Sequence, residues 1–408
     1  MSAISIVIVG AGPAGCYAAQ ALRKEFAGAE ITVLDRLPVP FGLLRYGVAA
    51  DHQGTKQVQR QFDRLFQGAD VEFLGGLELG RDVHLDQLTT IFDVVVLSTG
   101  VPNDRRLGIV GEKLDGVIGA GRLTRALNSH PEVNESVPVV SPRVAIVGSG
   151  NVAVDLLRLL SKGAQEWNGS DMDDEVLGSV IPKPVTDIHL ISRSGAEKAR
   201  WDASMLREIG GLHRPGIRLA TGSVASGQSP AAHTLRELLM GRQRPTDLTI
   251  NLHLACSVEQ ILGAESVTGI RICGPAGERK EVAVNTVLTA IGFESQPSKP
   301  FPPGVYTTGW LRTGPQGTIP LQRTLSKQLA SDIATDYRLG VITSNRPGRR
   351  ALPITDAVDF DAWSRIDAFE CGRAQEGRVR RKIMNIEQMY SVARRTADTL
   401  SLGKEAIN

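Results

Sequence analysis

The chain has 408 residues, 42% of them hydrophobic, so at about 100–200 residues per domain we expect two or three domains with a large core. Its 46 basic and 44 acidic residues leave a net charge of +2, which excludes a general electrostatic attraction to nucleic acid or to a membrane surface. The four cysteines, Cys16, Cys256, Cys273 and Cys371, form no CxxC pair, so we expect a reducing, cytoplasmic location and no zinc, iron–sulfur or dithiol centre.

The N-terminal stretch up to Asp35 has the spacing of a dinucleotide-binding unit. An apolar strand, Ile6–Val9, is followed at once by the glycine-rich turn Gly10–Gly15 and by a helix, Cys16–Lys24. The apolar run is too short for a signal peptide or a membrane span, so we expect no stable membrane insertion. A second strand, Glu30–Leu34, ends at Asp35, where such units carry an acidic side chain that binds ribose hydroxyls.

Each glycine of this turn has a separate physical role. Gly10 permits the sharp turn, Gly12 lets the backbone approach a pyrophosphate, and Gly15 lets the helix pack closely on the strand. The phosphates then meet the N-terminus of the helix, whose free amides and dipole favour an anion. Strand, turn, helix and acid together predict nucleotide binding.

The segment Arg36–His52 follows the ribose-binding strand directly. Its two prolines and two glycines predict an extended, turn-rich loop rather than a helix, and its apolar residues fit either a loop along a bound flavin or packing in the core. The next predicted elements are an amphipathic helix over Gln53–Gln67, short strands at Val71–Leu74 and Glu78–Gly80, a helix at Leu85–Ile91 and a strand at Asp93–Leu97.

A second fingerprint begins after the strand Arg143–Val147. Gly148-Ser149-Gly150-Asn151-Val152-Ala153 has the form GxGxxA and is followed by a predicted helix, Val154–Leu160. A chance pattern seldom recurs with both the strand and the helix in place. We therefore predict two bound dinucleotides, or one flavin and one nicotinamide nucleotide.

The chain beyond the second fingerprint carries a candidate phosphate ligand. Lys162–Pro184 is polar and resembles an insertion, and the strand Asp187–Ile191 then leads to Ser192-Arg193-Ser194. At that strand end a basic residue contacts a ribose 2′-phosphate. Arg193 therefore favours NADPH over NADH, or it is an ordinary solvated charge.

Two strands end alike and define the domain organisation. The strand Asp93–Leu97 is followed by Ser98-Thr99-Gly100, and the strand Thr286–Ile291 is followed by Gly292. The first of these ends fits either contact with the first ligand or a plain strand end. We interpret these ends as the points where one domain is inserted into the other.

The predicted fold is α/β, with two Rossmann-like dinucleotide-binding domains and the NADP domain inserted in a discontinuous FAD domain. The predicted segments are 1–100 and 293–345 for the FAD domain, 101–292 for the NAD(P)H domain, and 346–408 for a C-terminal tail packing on the FAD domain.

The resumed domain contains Val305–Trp310, a glycine-rich run with Gly309, Gly314 and Gly317, and a predicted helix over Leu321–Arg338. The N-terminal amides of that helix fit a flavin pyrimidine, where they stabilise negative charge on reduction. The alternative is an ordinary loop before a helix.

These pieces carry a family resemblance. The first fingerprint, the stretch Pro40–Val48 with Asp51-His52, the second fingerprint through Asp155, and Gly309-Trp310 with Gly314-Pro315 and Gly317 resemble the adrenodoxin reductase family of ferredoxin–NADP reductases. The tail, with Trp363, Ile366-Asp367, Glu370, Gly372 and Gly377-Arg378, is similar to the end of bacterial members. The resemblance covers most of the chain.

The resemblance implies FAD in the first domain, NADPH in the second, and one-electron delivery to a ferredoxin-type iron–sulfur protein, for example one that feeds a monooxygenase. It places His52 and Glu208 near the flavin and the nicotinamide as candidate catalytic residues. Motifs and resemblance together give these candidate cofactor-binding residues: Gly10, Gly12, Pro13, Ala14, Gly15, Asp35, Leu43, Thr99, Gly100, Gly148, Gly150, Asn151, Val152, Arg193, Gly309, Trp310, Gly317 and Ile319.

The chain departs from the family pattern in two places. Where the family has paired arginines for the 2′-phosphate, this chain has Arg193-Ser194, so we expect a weaker preference for NADPH and some use of NADH. The basic cluster that receives ferredoxin in the mammalian enzyme is absent from Ser229–Thr234. The remaining candidates for docking are Arg236, Arg242 and Arg244, and a charge run made of Arg378, Arg380, Arg381 and Lys382.

Three other classes of protein share parts of this pattern. A flavin disulfide reductase needs paired cysteines, which the chain lacks. A flavin monooxygenase or oxidase using NAD(P)H would consume oxygen in proportion to an organic substrate, and a non-catalytic redox subunit would bind nucleotide without turnover.

Overall fold

Two parallel sheets and one small antiparallel sheet organise the residues that the computed structural model describes, namely 3–133, 136–224, 228–241, 246–294, 301–315, 317, 319–353 and 356–395. The strands are β1 (Ser5–Val9), β2 (Glu30–Asp35), β3 (Val71–Gly75), β4 (Val94–Leu97), β5 (Val117–Gly119), β6 (Arg143–Val147), β7 (Asp187–Ser192), β8 (Pro215–Thr221), β9 (Leu248–Leu254), β10 (Ser257–Leu262), β11 (Gly269–Cys273), β12 (Arg279–Val282), β13 (Thr286–Thr289) and β14 (Val305–Thr307). The helices are α1 (Pro13–Glu25), α2 (Gly42–Tyr46), α3 (Gln53–Lys56), α4 (Gln59–Phe66), α5 (Leu85–Ile91), α6 (Ala120–Leu127), α7 (Asn151–Ser161), α8 (Asp174–Val180), α9 (Ala203–Gly211), α10 (Pro230–Met240), α11 (Trp310–Thr313), α12 (Ile319–Arg338), α13 (Phe360–Gly372) and α14 (Ile386–Ala393).

The first sheet has the strand order β14-β4-β1-β2-β3, and all of its strands are parallel. Every residue of β1 is buried, because the sheet is covered on both faces, by α1 and α12 on one side and by α5 on the other. Parallel strands present their carboxyl ends at one edge, where ligands bind in such sheets. Gly10 follows β1 at this edge, next to Asp35 at the end of β2.

The second sheet has the order β5-β13-β6-β7-β9-β8 and is also parallel throughout. Helices α6, α7, α9 and α10 contribute to the core on one face, and the antiparallel sheet β10-β11-β12 packs on the other. Its carboxyl edge brings together Gly148 after β6, Arg193 after β7 and Ala290 after β13. The predicted α/β class with two Rossmann-like units is confirmed.

Strand membership fits the inserted arrangement. Strands β1–β4 end before residue 100 and β14 begins at Val305, whereas the second sheet draws its strands only from Val117 to Thr289. The exact limits of the four predicted segments stay a prediction.

One local prediction was wrong within Arg36–His52. The segment contains a short helix, α2, and is not an extended loop throughout. Phe41 adopts a left-handed conformation (φ 81°) before the helix, and Leu44 and Tyr46 are buried at 1% exposure each. Burial of these side chains therefore overrides the turn signals of the neighbouring prolines and glycines.

Three other elements differ from expectation. The helix predicted over Gln53–Gln67 is divided into α3 and α4, and Glu78–Gly80 forms only an isolated bridge between Leu79 and Val83. Lys162–Pro184 contains α8 and a 3₁₀ turn at Ala164–Trp167, with Trp167 buried at 2% exposure. This polar segment therefore has helical structure of its own and packs into the second unit through Trp167.

The C-terminal segment packs on the first sheet's core. Trp363 of α13 is 1% exposed, and its ring contacts that of Phe41 at a centroid distance of 5.9 Å. Arg45 of α2 donates to both carboxylate oxygens of Glu370 at 2.6 Å, with both side chains buried. A buried charge pair thus joins this segment to α2.

Asp63 on α4 makes stability depend on pH. Burial and, secondly, the charge of Asp367 raise the pKa of Asp63 to about 6. Because an unfolded aspartate titrates at about 3.9, the folded protein holds this proton more tightly, and stability is lost as pH rises from about 4 to 6. We expect Asp63→Asn to raise the thermal midpoint at pH 8 and not at pH 4, as measured by circular dichroism. An equal shift at both pH values would contradict this assignment.

Candidate active site

The first glycine turn is held by β2 as well as by its own strand. The Gly10 amide donates to Leu34 O at 2.7 Å, and the Ala11 amide donates to the Asp35 carboxylate at 2.8 Å. Gly10 has φ +110°, and a Cβ there would overlap the backbone of Ser98, so only glycine fits. Burial raises the pKa of Asp35.

Gly12 at the crest of the turn faces open space. It is the N-cap of α1, where no side chain caps the helix, and a Cβ built on it meets no atom within 4 Å. Gly15 differs, because a Cβ there would overlap Gly10 O. The turn therefore offers free helix-terminal amides beside a space that a pyrophosphate fits.

Other predicted ligand-binding residues surround this turn. Leu43 belongs to α2 and is 38% exposed. The first residue of α2, Gly42, lies against the turn, because a Cβ built on Gly42 would be 3.1 Å from the Cα of Gly12. Thr99 and Gly100 follow β4, and Thr308 next to Gly309 donates its amide to Leu97 O at 2.9 Å. Gly309 has φ +64°, Trp310 begins α11, Gly317 has φ +91° and Ile319 begins α12. The predicted FAD-binding residues thus lie along one edge of the first sheet.

The second turn repeats this geometry. Gly148 has φ +151°, and a Cβ there would overlap Ala290 O, whereas a Cβ on Gly150 meets no atom within 4 Å. Gly150 is the N-cap of α7 and has no side-chain cap. Asn151 accepts a hydrogen bond from the Asp202 amide at 2.9 Å, and Val152 is 41% exposed.

Arg193 and a further cation lie near the second turn. Arg193 is exposed at the end of β7, the strand beside β6. Arg200 is also exposed, and its amide donates to Ser149 O at 3.0 Å, within the turn itself. This edge of the second sheet therefore carries open backbone and positive charge, which suits a phosphate-bearing nucleotide.

His52 and Glu208, the two candidate catalytic residues, meet between the two units. His52 Nε2 and Glu208 Oε2 are 3.1 Å apart, and their side chains are 24% and 44% exposed. His52 belongs to the first unit and Glu208 to α9 of the second. The predicted pair is therefore a hydrogen-bonded contact across the junction.

Three charged residues that the sequence did not single out as site residues support this pair. Arg158 of α7, 2% exposed, contacts Glu208 Oε2 at 3.2 Å and Asp155 Oδ1 at 3.1 Å, and it forms a two-point ion pair with Asp51. Burial would raise the pKa of Asp51, but the hydrogen bonds and charges of Arg158 and Lys162 lower it to about 2. Burial raises the pKa of Asp155.

The sequence alone indicates only some of the neighbours in this charged junction. Asp51 adjoins His52, and Asp155 and Arg158 are one turn apart on the helix of the second fingerprint, but nothing local joins the two groups. The result is a charged junction in which Arg158 bridges acidic side chains from both units.

The charge run near the C-terminus, a candidate for docking, makes ion pairs within the chain. Arg378 pairs with Asp174 at 2.7 Å, Arg381 with Asp173 at 2.7 Å, Lys382 with Asp171 at 2.9 Å, and Arg380 with Asp367. The side chains of Arg378 and Lys382 are 7% and 1% exposed. Arg378, Arg381 and Lys382 thus join the tail to the second unit, whereas Arg380 pairs within the tail. Docking of a partner through this run stays a prediction. Arg236 donates to Val224 O at 3.0 Å, and Arg242 and Arg244 lie outside the described residues.

Across the described ranges, no helix is long and apolar enough to cross a membrane, and no three His, Cys, Asp or Glu side chains are grouped as metal ligands. All four cysteines are free thiols.

Comparison with known proteins extends the similarity over nearly the whole chain. Residues 4–193 match the family model described as pyridine nucleotide-disulphide oxidoreductase. The chain is 36% identical over 417 residues to cindoxin reductase of Citrobacter braakii, covering 96% of this chain and 91% of that protein. It is 30% identical over 460 residues to mitochondrial NADPH:adrenodoxin oxidoreductase of Arabidopsis thaliana, covering 96% and 95%.

A solved structure agrees with these sequence relatives. The fold resembles that of Mycobacterium tuberculosis FprA in complex with NADPH, with a TM-score of 0.86, 25% identity, and coverage of 96% of this chain and 99% of that one. The similarity thus includes both sheets and the C-terminal segment, beyond the part that the family model matches.

Proposed function

The chain belongs to the adrenodoxin reductase family of ferredoxin–NADP reductases, and from this we propose that it is an FAD-dependent reductase that passes electrons from NADPH to a ferredoxin-type iron–sulfur protein. One observation carries this proposal. Two open glycine turns lie on different parallel sheets, and the hydrogen-bonded His52–Glu208 contact joins the two units. Such an arrangement lets two nucleotides bound to different units meet at their reactive ends.

We assign the nucleotides by unit. The FAD site comprises the first turn, Gly10 to Gly15, with Asp35, Leu43, Thr99, Gly100, Gly309, Trp310, Gly317 and Ile319. The NADPH site comprises Gly148, Gly150, Asn151, Val152 and Arg193. The open cradles at Gly12 and Gly150 fit the two pyrophosphates, since each has free helix-terminal amides and no side chain in the way.

The protein and the cofactor contribute different parts of the reaction. Bound FAD supplies a carrier that accepts two electrons together and returns them one at a time. The chain holds the two nucleotides in fixed orientation, and the junction residues keep their side chains in place. We propose that the hydrogen bond between His52 Nε2 and Glu208 Oε2 holds these two side chains in position, and that Arg158, buried behind them, fixes the orientation of Glu208.

The reductase acts on a separate acceptor, because its own sequence has no cysteine cluster to hold iron. We also propose that it works in the cytoplasm, where its four free thiols stay reduced.

The function is tested by NADPH-driven reduction of cytochrome c with and without a panel of small ferredoxins. We expect a strong increase on adding a suitable ferredoxin. Rapid flavin reduction without any ferredoxin response, or oxygen use in proportion to an organic substrate, would indicate a monooxygenase or oxidase instead. Absence of flavin reduction by NADPH would indicate a nucleotide-binding subunit.

Arg193→Ala tests the assignment of the 2′-phosphate site. A charge-assisted contact contributes about 1.5–3 kcal/mol, so we expect KM for NADPH to rise about ten- to hundredfold while KM for NADH stays unchanged. The matched control is Lys183→Ala, which removes an exposed cation that precedes the opposite end of β7. Equal changes with NADPH and NADH would contradict a 2′-phosphate contact.

A further inference from the structure

Gln322 is a polar residue in an otherwise mostly apolar contact between two helices. It is the fourth residue of α12, and the inward-facing side chains of this helix, Gln322, Ser326, Leu329, Ala330, Ile333 and Ala334, recur at helical spacing. This stripe packs along α1, and the Ser326 hydroxyl donates to Ala14 O at 3.5 Å. The polar end of the stripe therefore lies at the first turn of α1, where we assign the FAD pyrophosphate.

The amide oxygen of Gln322 is buried and has no hydrogen-bond partner among the described residues. The residue is 6% exposed, and its Oε1 makes no hydrogen bond to any residue in the described part of the chain. A buried amide oxygen without a donor is strongly unfavourable, so native structures seldom keep one unless a ligand or water satisfies it. Gln322 thus marks a position where a hydrogen-bond donor is missing.

The position of this oxygen identifies what it faces. A Cβ built on Gly309 would lie 3.8 Å from Gln322 Oε1 and 2.7 Å from the Ala14 side chain. Gly309 has φ +64° and packs so closely on Ala14 that a Cβ there would overlap the Ala14 side chain. Gln322, Gly309 and Ala14 therefore lie close together, next to the open cradle at Gly12.

We propose that Gln322 binds FAD, with its amide oxygen accepting a hydrogen bond from a hydroxyl of the ribityl chain. This inference rests on the FAD site of the proposed function. The unsatisfied atom is an acceptor, whereas pyrophosphate oxygens can only accept, so the pyrophosphate does not complement it. The ribityl chain joins the pyrophosphate to the flavin ring. Its hydroxyl groups are the hydrogen-bond donors of FAD that would lie next to that cradle.

Gln322→Met tests the proposal, because it keeps the length of the side chain and removes the amide. We expect flavin to leave the diluted holoenzyme about three- to tenfold faster, measured by the fluorescence of released flavin, as for loss of one neutral hydrogen bond. The control is Gln328→Met on the same helix, where the exposed Gln328 bonds only to Asp332 at 2.8 Å among described residues. Its release rate should equal that of the unchanged protein.

A structural role for Gln322 gives a different result. In that case Gln322→Met lowers the unfolding midpoint at saturating FAD and leaves the release rate unchanged, which would overturn the proposal. If Gln322→Met does not fold, the same measurement on Gln322→Leu decides the question. A purified, unchanged protein that holds no FAD would contradict the FAD site itself, and is thereby distinguished from a failure at Gln322 alone.

Discussion

Gly150→Val is expected to slow NADPH-driven flavin reduction by about 100-fold or more, because even a 1 Å misplacement of reacting groups has an effect of that order. A Cβ on Gly150 meets no protein atom within 4 Å, so the new side chain begins in open space and not against the protein. The added side chain instead occupies the space that we assign to the pyrophosphate of NADPH. The rate is measured by stopped-flow absorbance of the flavin, with circular dichroism to check folding.

Two further variants make this prediction specific. Gly178→Val adds the same side chain at an exposed position of α8 that is also open within 4 Å, and should leave the rate unchanged. Gly12→Val, the equivalent substitution on the first sheet, should lose FAD. If Gly150→Val lost FAD and kept NADPH binding, our assignment of the two units would be reversed.

Asp171→Asn is expected to lower the free energy of unfolding by about 3–5 kcal/mol, the usual effect of removing one partner of a buried ion pair. The Asp171 carboxylate contacts Lys56 Nζ at 2.8 Å and Lys382 Nζ at 2.9 Å, and the three side chains are between 1% and 8% exposed. Lys56 belongs to the first unit, Asp171 to the second and Lys382 to the C-terminal segment. The substitution therefore removes the negative charge that faces two buried lysine side chains, whose pKa values burial already lowers.

The pKa of Asp171 gives this prediction a pH dependence. Burial would raise it, but Lys382 and Lys56 lower it to about 2. Because this value lies below the unfolded value of about 3.9, the stabilisation is present above about pH 4 and is lost as pH falls toward 2. The difference between Asp171→Asn and the unchanged protein, measured by urea unfolding of the holoenzyme, should therefore shrink on acidification. Glu259→Gln, which removes a partner of the exposed Arg279, should change little at any pH.

The sequence was sufficient for features that depend on short-range spacing. Both glycine turns could be predicted, because the positions of Gly10, Gly12, Gly148 and Gly150 follow directly from adjacent strands and helices. The inserted arrangement could be predicted from the matching ends of β4 and β13. The family resemblance placed His52 and Glu208 near the flavin and the nicotinamide. Their contact with each other was not predicted, since 156 positions separate them.

Features set by distant packing were missed for a physical reason. The tail cations look like a solvated or docking surface when only neighbouring residues are considered. Their partners Asp173 and Asp174 lie 208 and 204 positions earlier in the chain, so their burial cannot be inferred from local charge. Likewise α2 forms because Leu44 and Tyr46 are buried, although the local residues favour turns.

The central claim is that electrons pass from NADPH through FAD to a one-electron iron–sulfur carrier. Anaerobic titration of a responsive ferredoxin with NADPH, using a catalytic amount of the reductase, tests it most directly. The account predicts that two molecules of a one-electron ferredoxin are reduced for each NADPH oxidised, and that Gly150→Val prevents this. Oxidation of NADPH without reduction of ferredoxin, across the whole panel of ferredoxins, would contradict the account.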